Sequence, residues 1–99
     1  MTKTVLITGA TSGFGAAAAK RFVHAGWRVI ATGRRAERLQ VLVHELGAGK
    51  VQAAAFDIRD EAAVREMVKA IVAANGRIHG LVNNAGGQFP SPLMMISQK

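Results

Sequence analysis

The sequence predicts one small α/β domain built on a parallel sheet, and three observations carry that prediction. Short apolar runs alternate with segments of helical period along the whole chain, a glycine-rich stretch joins the first run to the first helical segment, and Ala, Val, Ile and Leu dominate while aromatic residues are few. Such alternation is the mark of strand–helix–strand crossovers, whose strands are covered on both faces and therefore read as unbroken apolar runs. The chain has 99 residues, 49% apolar and 5% aromatic. A chain of that size hides only about 60 to 65% of its extended surface, so its single core is thin.

The first run, Thr4 to Thr8, reads as a strand, and the glycine-rich stretch turns it into a helix expected from about Phe14 to Ala25 and stopped by Gly26. Arg28 to Thr32 reads as the second strand, Ala36 to Leu46 as the second helix with a stop at Gly47, and Val51 to Phe56 as the third strand. The third helix, Asp60 to Asn75 with a stop at Gly76, has the clearest period, placing Ala63, Val64, Met67, Val68, Ile71 and Val72 on one face. Asp60 is expected to cap it, because a short side-chain oxygen there accepts a bond from a first-turn amide. Gly80 to Asn83 is the fourth strand, and no period continues beyond Gly87. Right-handed crossovers then give the spatial order 3-2-1-4, the first half of a doubly wound, Rossmann-type parallel sheet. Residues 1–99 are thus read as one nucleotide-binding half-domain, with 87–99 a loop or tail.

The stretch Thr8-Gly9-Ala10-Thr11-Ser12-Gly13-Phe14-Gly15 follows a strand and opens a helix, where free amides and the positive end of the helix dipole meet a bound anion. Gly9 permits a sharp turn, Gly13 lets backbone approach a diphosphate with no Cβ in the way, and Gly15 lets the helix pack closely. Thr11 and Ser12 add hydroxyls. The candidate contacts here are Gly9, Thr11, Ser12, Gly13, Phe14 and Gly15. Their G-x-x-x-G-x-G spacing differs from the general G-x-G-x-x-G fingerprint, so the strand before and the helix behind carry the reading. A Walker loop is disfavoured, since no Lys-Ser or Lys-Thr pair follows the last glycine.

A site selective for NAD needs a carboxylate at the end of the second strand to bind the ribose hydroxyls. The chain has Gly33-Arg34-Arg35 there, and the next acid, Glu37, falls within the second helix. Guanidinium groups suit a 2′-phosphate because their donors form a fixed, always-charged fork. The expected cofactor is therefore NADP(H), with Arg34 and Arg35 as discriminators and Arg34 the first choice for direct contact. The alternative is that both arginines are solvated or pair with Glu37. The missing carboxylate also counts against a methyltransferase.

The net charge of +7 raises a nucleic-acid reading, but the basic residues are scattered, with Arg34, Arg35 and Arg38 the one true cluster, and no aromatics interleave with them to stack bases. There is no cysteine, hence no disulfide framework, thiolate zinc site or catalytic thiol, and no metal site is expected. No run reaches the length that spans a bilayer, and the N-terminus has no signal-type apolar segment, which reads as a cytoplasmic protein without a membrane partner. His24 and His44 fall on helices and His79 precedes a strand, positions that suit packing or surface roles better than catalysis.

Taken together, the loop from Thr8 to Gly15, Asp57-Ile58 after the third strand and Asn83-Asn84-Ala85-Gly86 after the fourth resemble the short-chain dehydrogenase/reductase family, over residues 1–86. The stretch from Ala31 to Leu39 is similar to members that oxidise 3-hydroxy acids such as serine with NADP, whereas the tail Gly86 to Pro92 is similar to reductases of enoyl-CoA thioesters. The resemblance implies that Asp57 bonds the adenine amino group with the Ile58 backbone beside it, that Asn83 ties the central strand to its neighbours, and that Asn84, Ala85 and Gly86 line the ribose and nicotinamide. It also implies a small-molecule substrate, a homo-oligomeric parent, and a catalytic Ser, Tyr and Lys. The sequence contains no tyrosine, so no catalytic residue is assigned. The expectation is the cofactor-binding part of an NADP(H)-dependent oxidoreductase, inactive alone and prone to self-association through an uncovered fourth strand. The alternative is a non-catalytic NADPH-binding module.

Overall fold

A computed structural model of the chain describes residues 2–57 and 59–84. Along them run β1 (Thr4–Thr8), α1 (Gly13–His24), β2 (Arg28–Gly33), α2 (Ala36–Leu46), β3 (Val51–Ala55), α3 (Glu61–Asn75) and β4 (Gly80–Asn83). Every strand pairing is parallel and the order across the sheet is β3-β2-β1-β4, as the crossover rule requires. β1 is central: Val5 lies between Val29 of β2 and Gly80 of β4, and Ile7 between Ala31 and Val82.

Side chains alternate across a strand, so neighbours in sequence serve opposite layers. Val5, Ile7, Val29, Ala31 and Val51 join Ala19 of α1 with Leu39 and Leu42 of α2 in one buried cluster. Leu6 and Ile30 point the other way, onto Val64 and Ile71 of α3 and onto Ile78. Helices therefore cover both faces, and each fully buried Leu or Ile contributes roughly 1.5 to 3 kcal/mol.

Element boundaries shift by a residue for identifiable reasons. α1 starts at Gly13 because Ser12 is its cap, and it gives way to Ala25 and then Gly26 at φ +89°. β2 continues through Gly33, which pairs with Ala55. β3 stops at Ala55, one residue before the expected Phe56, although the Phe56 amide still donates to the Gly33 carbonyl at 2.9 Å and its ring keeps the alternation by packing on the α3 side. Asp60 caps α3 as expected, its Oδ1 accepting from the Ala63 amide at 3.1 Å. The apolar stripe of α3 is narrower than its period suggests. Val72 is 41% exposed, being rotated by about 100° from the buried Ile71.

His79 is a structural residue. Its amide donates to the Thr4 carbonyl at 2.7 Å, its Nδ1 accepts from the Thr4 amide at 2.9 Å, and its ring stands edge-on to Trp27 with centroids 6.4 Å apart. Among the described residues no helix is long and apolar enough to cross a membrane.

Candidate nucleotide-binding site

At the carboxyl edge of the sheet β1 ends at Thr8 and β2 at Gly33, beside the amino ends of α1 and α2. β1 is also where the chain's course reverses, since β2 and β3 lie to one side and β4 to the other. Ligands bind in the crevice that opens at such a switch point.

The glycine loop is held in place by bonds to β2, to the residue just past β4 and within itself. Gly9 takes the chain out of β1 at φ +60°, in the left-handed region that glycine enters without a Cβ clash. The Ala10 amide donates to the Thr32 carbonyl at 3.0 Å, and the Thr32 hydroxyl donates to the Ile7 carbonyl at 3.0 Å. Ser12 caps α1, with its Oγ accepting from the Gly15 amide at 3.3 Å and donating to the Gly9 carbonyl at 2.9 Å. Asn84, just past β4, donates through Nδ2 to the Gly9 carbonyl at 3.1 Å and also to Ser12 Oγ.

Gly15 has a concrete steric reason to be glycine: a Cβ there would lie 2.2 Å from Gly9 O, 2.8 Å from Ala10 Cα and 2.9 Å from Asn84 Nδ2. Its close approach is to the loop and to Asn84. At Gly13 an added Cβ would meet no atom within 4 Å, so nothing in the fold demands glycine there. The Ser12 hydroxyl, expected to serve a ligand, gives its one proton to the Gly9 carbonyl. Phe14 is 85% exposed, at the mouth of the helix amino end. Asn83 ties β4 to β1, its Oδ1 accepting from the Thr8 hydroxyl at 3.0 Å, while the Asn84 amide donates to that same hydroxyl at 2.9 Å. Ile58, Ala85 and Gly86 lie outside the described residues.

Between this loop and the end of β2 is a crevice of about 280 Å³. Gly9, Thr11, Thr32 and Gly33 form its floor side, Phe56 closes one wall, and Arg34, Arg35 and Arg38 complete the lining, which includes no acidic residue. Arg38 is the contact missing from the sequence-derived set. The signal was its place in the Arg34, Arg35 and Arg38 cluster, within the first turn of α2 beside the end of β2.

Arg34 pairs with neither solvent alone nor Glu37: its Nη2 lies 3.5 Å from Asp57 Oδ2. Asp57 is itself gripped by Arg59. Asp57 Oδ1 accepts from the Arg59 backbone amide at 2.9 Å and from Nε at 3.1 Å, and Oδ2 accepts from Nη2 at 2.9 Å. The side-chain bonds from Arg59 foremost, then its backbone amide and the nearby positive charges, bring the Asp57 carboxyl from the ordinary 3.8 down to about 2. The same bonds raise the Arg59 guanidinium above its usual value. Arg35 and Arg38 have no ion-pair partner among the described residues.

A helix amino end with free amides offers sites for a diphosphate, and three guanidinium groups at one crevice, of which Arg34 alone is paired with an acid, suit a further phosphate. This donor set fits a dinucleotide carrying an extra phosphate. A glycine loop at the switch point of a doubly wound parallel sheet defines a dinucleotide-binding type of domain. More narrowly, the chain belongs to the short chain dehydrogenase family, whose profile matches residues 3–99.

The chain is 54% identical over 99 residues to serine 3-dehydrogenase of Agrobacterium fabrum, covering 97% of this chain and 39% of that protein. It is 55% identical over 82 residues to the NADP-dependent 3-hydroxy acid dehydrogenase YdfG of Salmonella typhi, covering 83% of this chain and 33% of the relative. Among solved structures, the closed form of serine dehydrogenase complexed with NADP+ superposes with a TM-score of 0.76 at 49% identity, over 82% of this chain and 32% of that one. The chain thus spans less than two fifths of the length of these relatives.

Proposed function

We propose that this chain is the cofactor-binding part of an NADP(H)-dependent oxidoreductase that moves a hydride to or from a small alcohol, carbonyl or enoyl substrate. The observation that carries the reading is the crevice beside the glycine loop, lined by Arg34, Arg35 and Arg38 and by no acid. NADP dependence in the name of one relative and NADP+ in the structure of another support it.

On this reading the amides of Gly13 and Phe14 receive the diphosphate at the positive end of α1, with Gly15 beside them. Arg34, Arg35 and Arg38 receive the 2′-phosphate, and Thr11 borders both. Asp57 and the Ile58 backbone flank the adenine, and Asn84, Ala85 and Gly86 border the ribose and nicotinamide. The nicotinamide, when bound, supplies the hydride. Proton transfer to match it requires an acid/base group, and no tyrosine in this sequence offers the family's usual one. The 99-residue chain accordingly binds cofactor without turnover. A cytoplasmic, homo-oligomeric parent completes the proposal.

The test is a fluorescence titration of the chain with NADPH and NADH. NADPH binding tighter than NADH binding, with the difference abolished by Arg34→Ala plus Arg35→Ala, is expected. Equal loss of both affinities in that variant contradicts the assignment. The alternative reading is a non-catalytic NADPH-binding module. A Tyr-x-x-x-Lys encoded beyond Lys99 selects the enzyme.

A further inference from the structure

We propose that Arg59 is a positioning residue for recognition of the adenosine 2′-phosphate: it fixes the Asp57 carboxylate, and Asp57 in turn holds Arg34 at the crevice. The inference rests on the reading of that crevice as a 2′-phosphate site. Arg59 itself is outside the crevice lining, in the connection between β3 and α3.

The argument starts from the lone pairs of one carboxylate. A carboxylate has about four acceptor positions, two on each oxygen. Arg59 fills both on Asp57 Oδ1, with its amide at 2.9 Å and Nε at 3.1 Å, and one on Oδ2, with Nη2 at 2.9 Å. One position remains, on Oδ2, and Arg34 Nη2 lies 3.5 Å from that oxygen. Turning the carboxylate would break three charge-assisted bonds, so its orientation is fixed and Oδ2 is kept within ion-pair distance of Arg34. A side chain with many rotamers is thereby given a fixed anchor at the crevice mouth.

Charge balance points the same way. Asp57 beside Arg34 alone would cancel the guanidinium and set a bare carboxylate near an incoming phosphate. With Arg59 on the far side, the group of three retains a positive charge that an anion can use. Arg59 is also dispensable for folding on this account, because its side chain is 73% exposed and exposed ion pairs contribute little to stability. Its effect is expected in ligand discrimination and not in the unfolding midpoint.

The experiment is isothermal calorimetry on the full chain with adenosine 2′,5′-bisphosphate and with 5′-AMP, whose affinity ratio isolates the 2′-phosphate. Arg59→Gln is expected to lower that ratio by about three- to fivefold, the scale of one exposed, oriented ion pair, with an unchanged thermal midpoint. Arg59→Lys, which keeps the charge and loses the fork, recovers part of it. In an Asp57→Asn background Arg59→Gln causes no further fall, because its action passes through that carboxylate. The proposal is overturned if Arg59→Gln leaves the ratio unchanged in a protein that prefers the bisphosphate. An undiminished fall in the Asp57→Asn background, or an equal loss of 5′-AMP affinity, overturns it as well. A parent chain with no preference for the bisphosphate refutes instead the 2′-phosphate reading beneath it.

Discussion

Replacing Gly15 with Ala and, separately, Gly13 with Ala divides what the fold needs from what the ligand needs. In a helix interior Gly→Ala gains up to about 1 kcal/mol. At Gly15 that gain is overrun: the new Cβ lies 2.2 Å from the Gly9 carbonyl and 2.8 Å from Ala10 Cα. Both are backbone atoms that cannot swing aside, so the loop must retreat by about 1 Å to reach ordinary contact. The bonds that hold it, from Ser12 and Asn84 to Gly9 and from Gly15 to Ser12, are then stretched or lost. Overpacking costs about 1 to 3 kcal/mol and each hydrogen bond about 1 kcal/mol, so the net loss is about 2 to 4 kcal/mol. For a domain of this size that lowers the unfolding midpoint by at least about 8 °C. Gly13→Ala meets no atom within 4 Å, so its stability should change by less than about 0.5 kcal/mol, while NADPH affinity falls because a Cβ now stands where the diphosphate approaches. Thermal melts and NADPH titration of both variants decide the matter. A Gly15→Ala protein as stable as the parent refutes the close approach, and undiminished binding by Gly13→Ala refutes the position of the diphosphate.

Three further outcomes are expected. His79→Ala leaves the buried Thr4 amide without its acceptor and should cost about 1 to 3 kcal/mol in urea unfolding; a change below about 0.5 kcal/mol would show the bond to be unimportant. Arg38→Gln should weaken NADPH several-fold and leave NADH affinity in place, measured by the same titration. The Asp57 carboxyl is depressed from 3.8 to about 2 in the folded chain, so its contribution to stability is complete above the unfolded value and disappears as pH falls through the folded one. Because the pair with Arg59 is exposed that contribution is small, so Asp57→Asn should flatten acid unfolding only slightly between about pH 4 and pH 2 and leave its slope above pH 5 unchanged, as followed by circular dichroism.

Most of the fold was legible because one rule governs every element: a strand covered on both faces must be apolar throughout, and a crossover helix must show a period. The order β3-β2-β1-β4 follows from handedness once four strands are granted. Boundaries were less legible where a residue keeps part of the ladder's bonding beyond the strand's end, as at Phe56, whose amide still donates to Gly33. At the site, glycine spacing located the loop but not the partners of its polar groups. Ser12 reads as a ligand donor in sequence, yet its hydroxyl closes the loop on Gly9. The pairing of Arg34 with Asp57 joins residues from two connections, and local spacing carries no trace of it. Arg38 was the opposite case, readable from its place in the basic cluster at the start of α2.

Part of the basic character of the chain is gathered at the same site. Arg34, Arg35 and Arg38 converge on one crevice in a chain of net charge +7, and like charges so placed oppose the compact state. On the proposed reading a 2′-phosphate would relieve that repulsion, whereas the diphosphate would be held by amides of α1 at short range. The two contributions should therefore separate with salt, because exposed charges are screened over a length that shrinks from about 10 Å at 0.1 M to about 3 Å at 1 M, while short-range bonds are screened far less. The rise in unfolding midpoint caused by NADPH, less that caused by NADH, should shrink as salt is raised from about 0.05 M to about 0.5 M, with the rise caused by NADH largely retained. Parallel decline of both would mean that the arginines act through the general field of the protein, and that no one of them is a specific phosphate ligand.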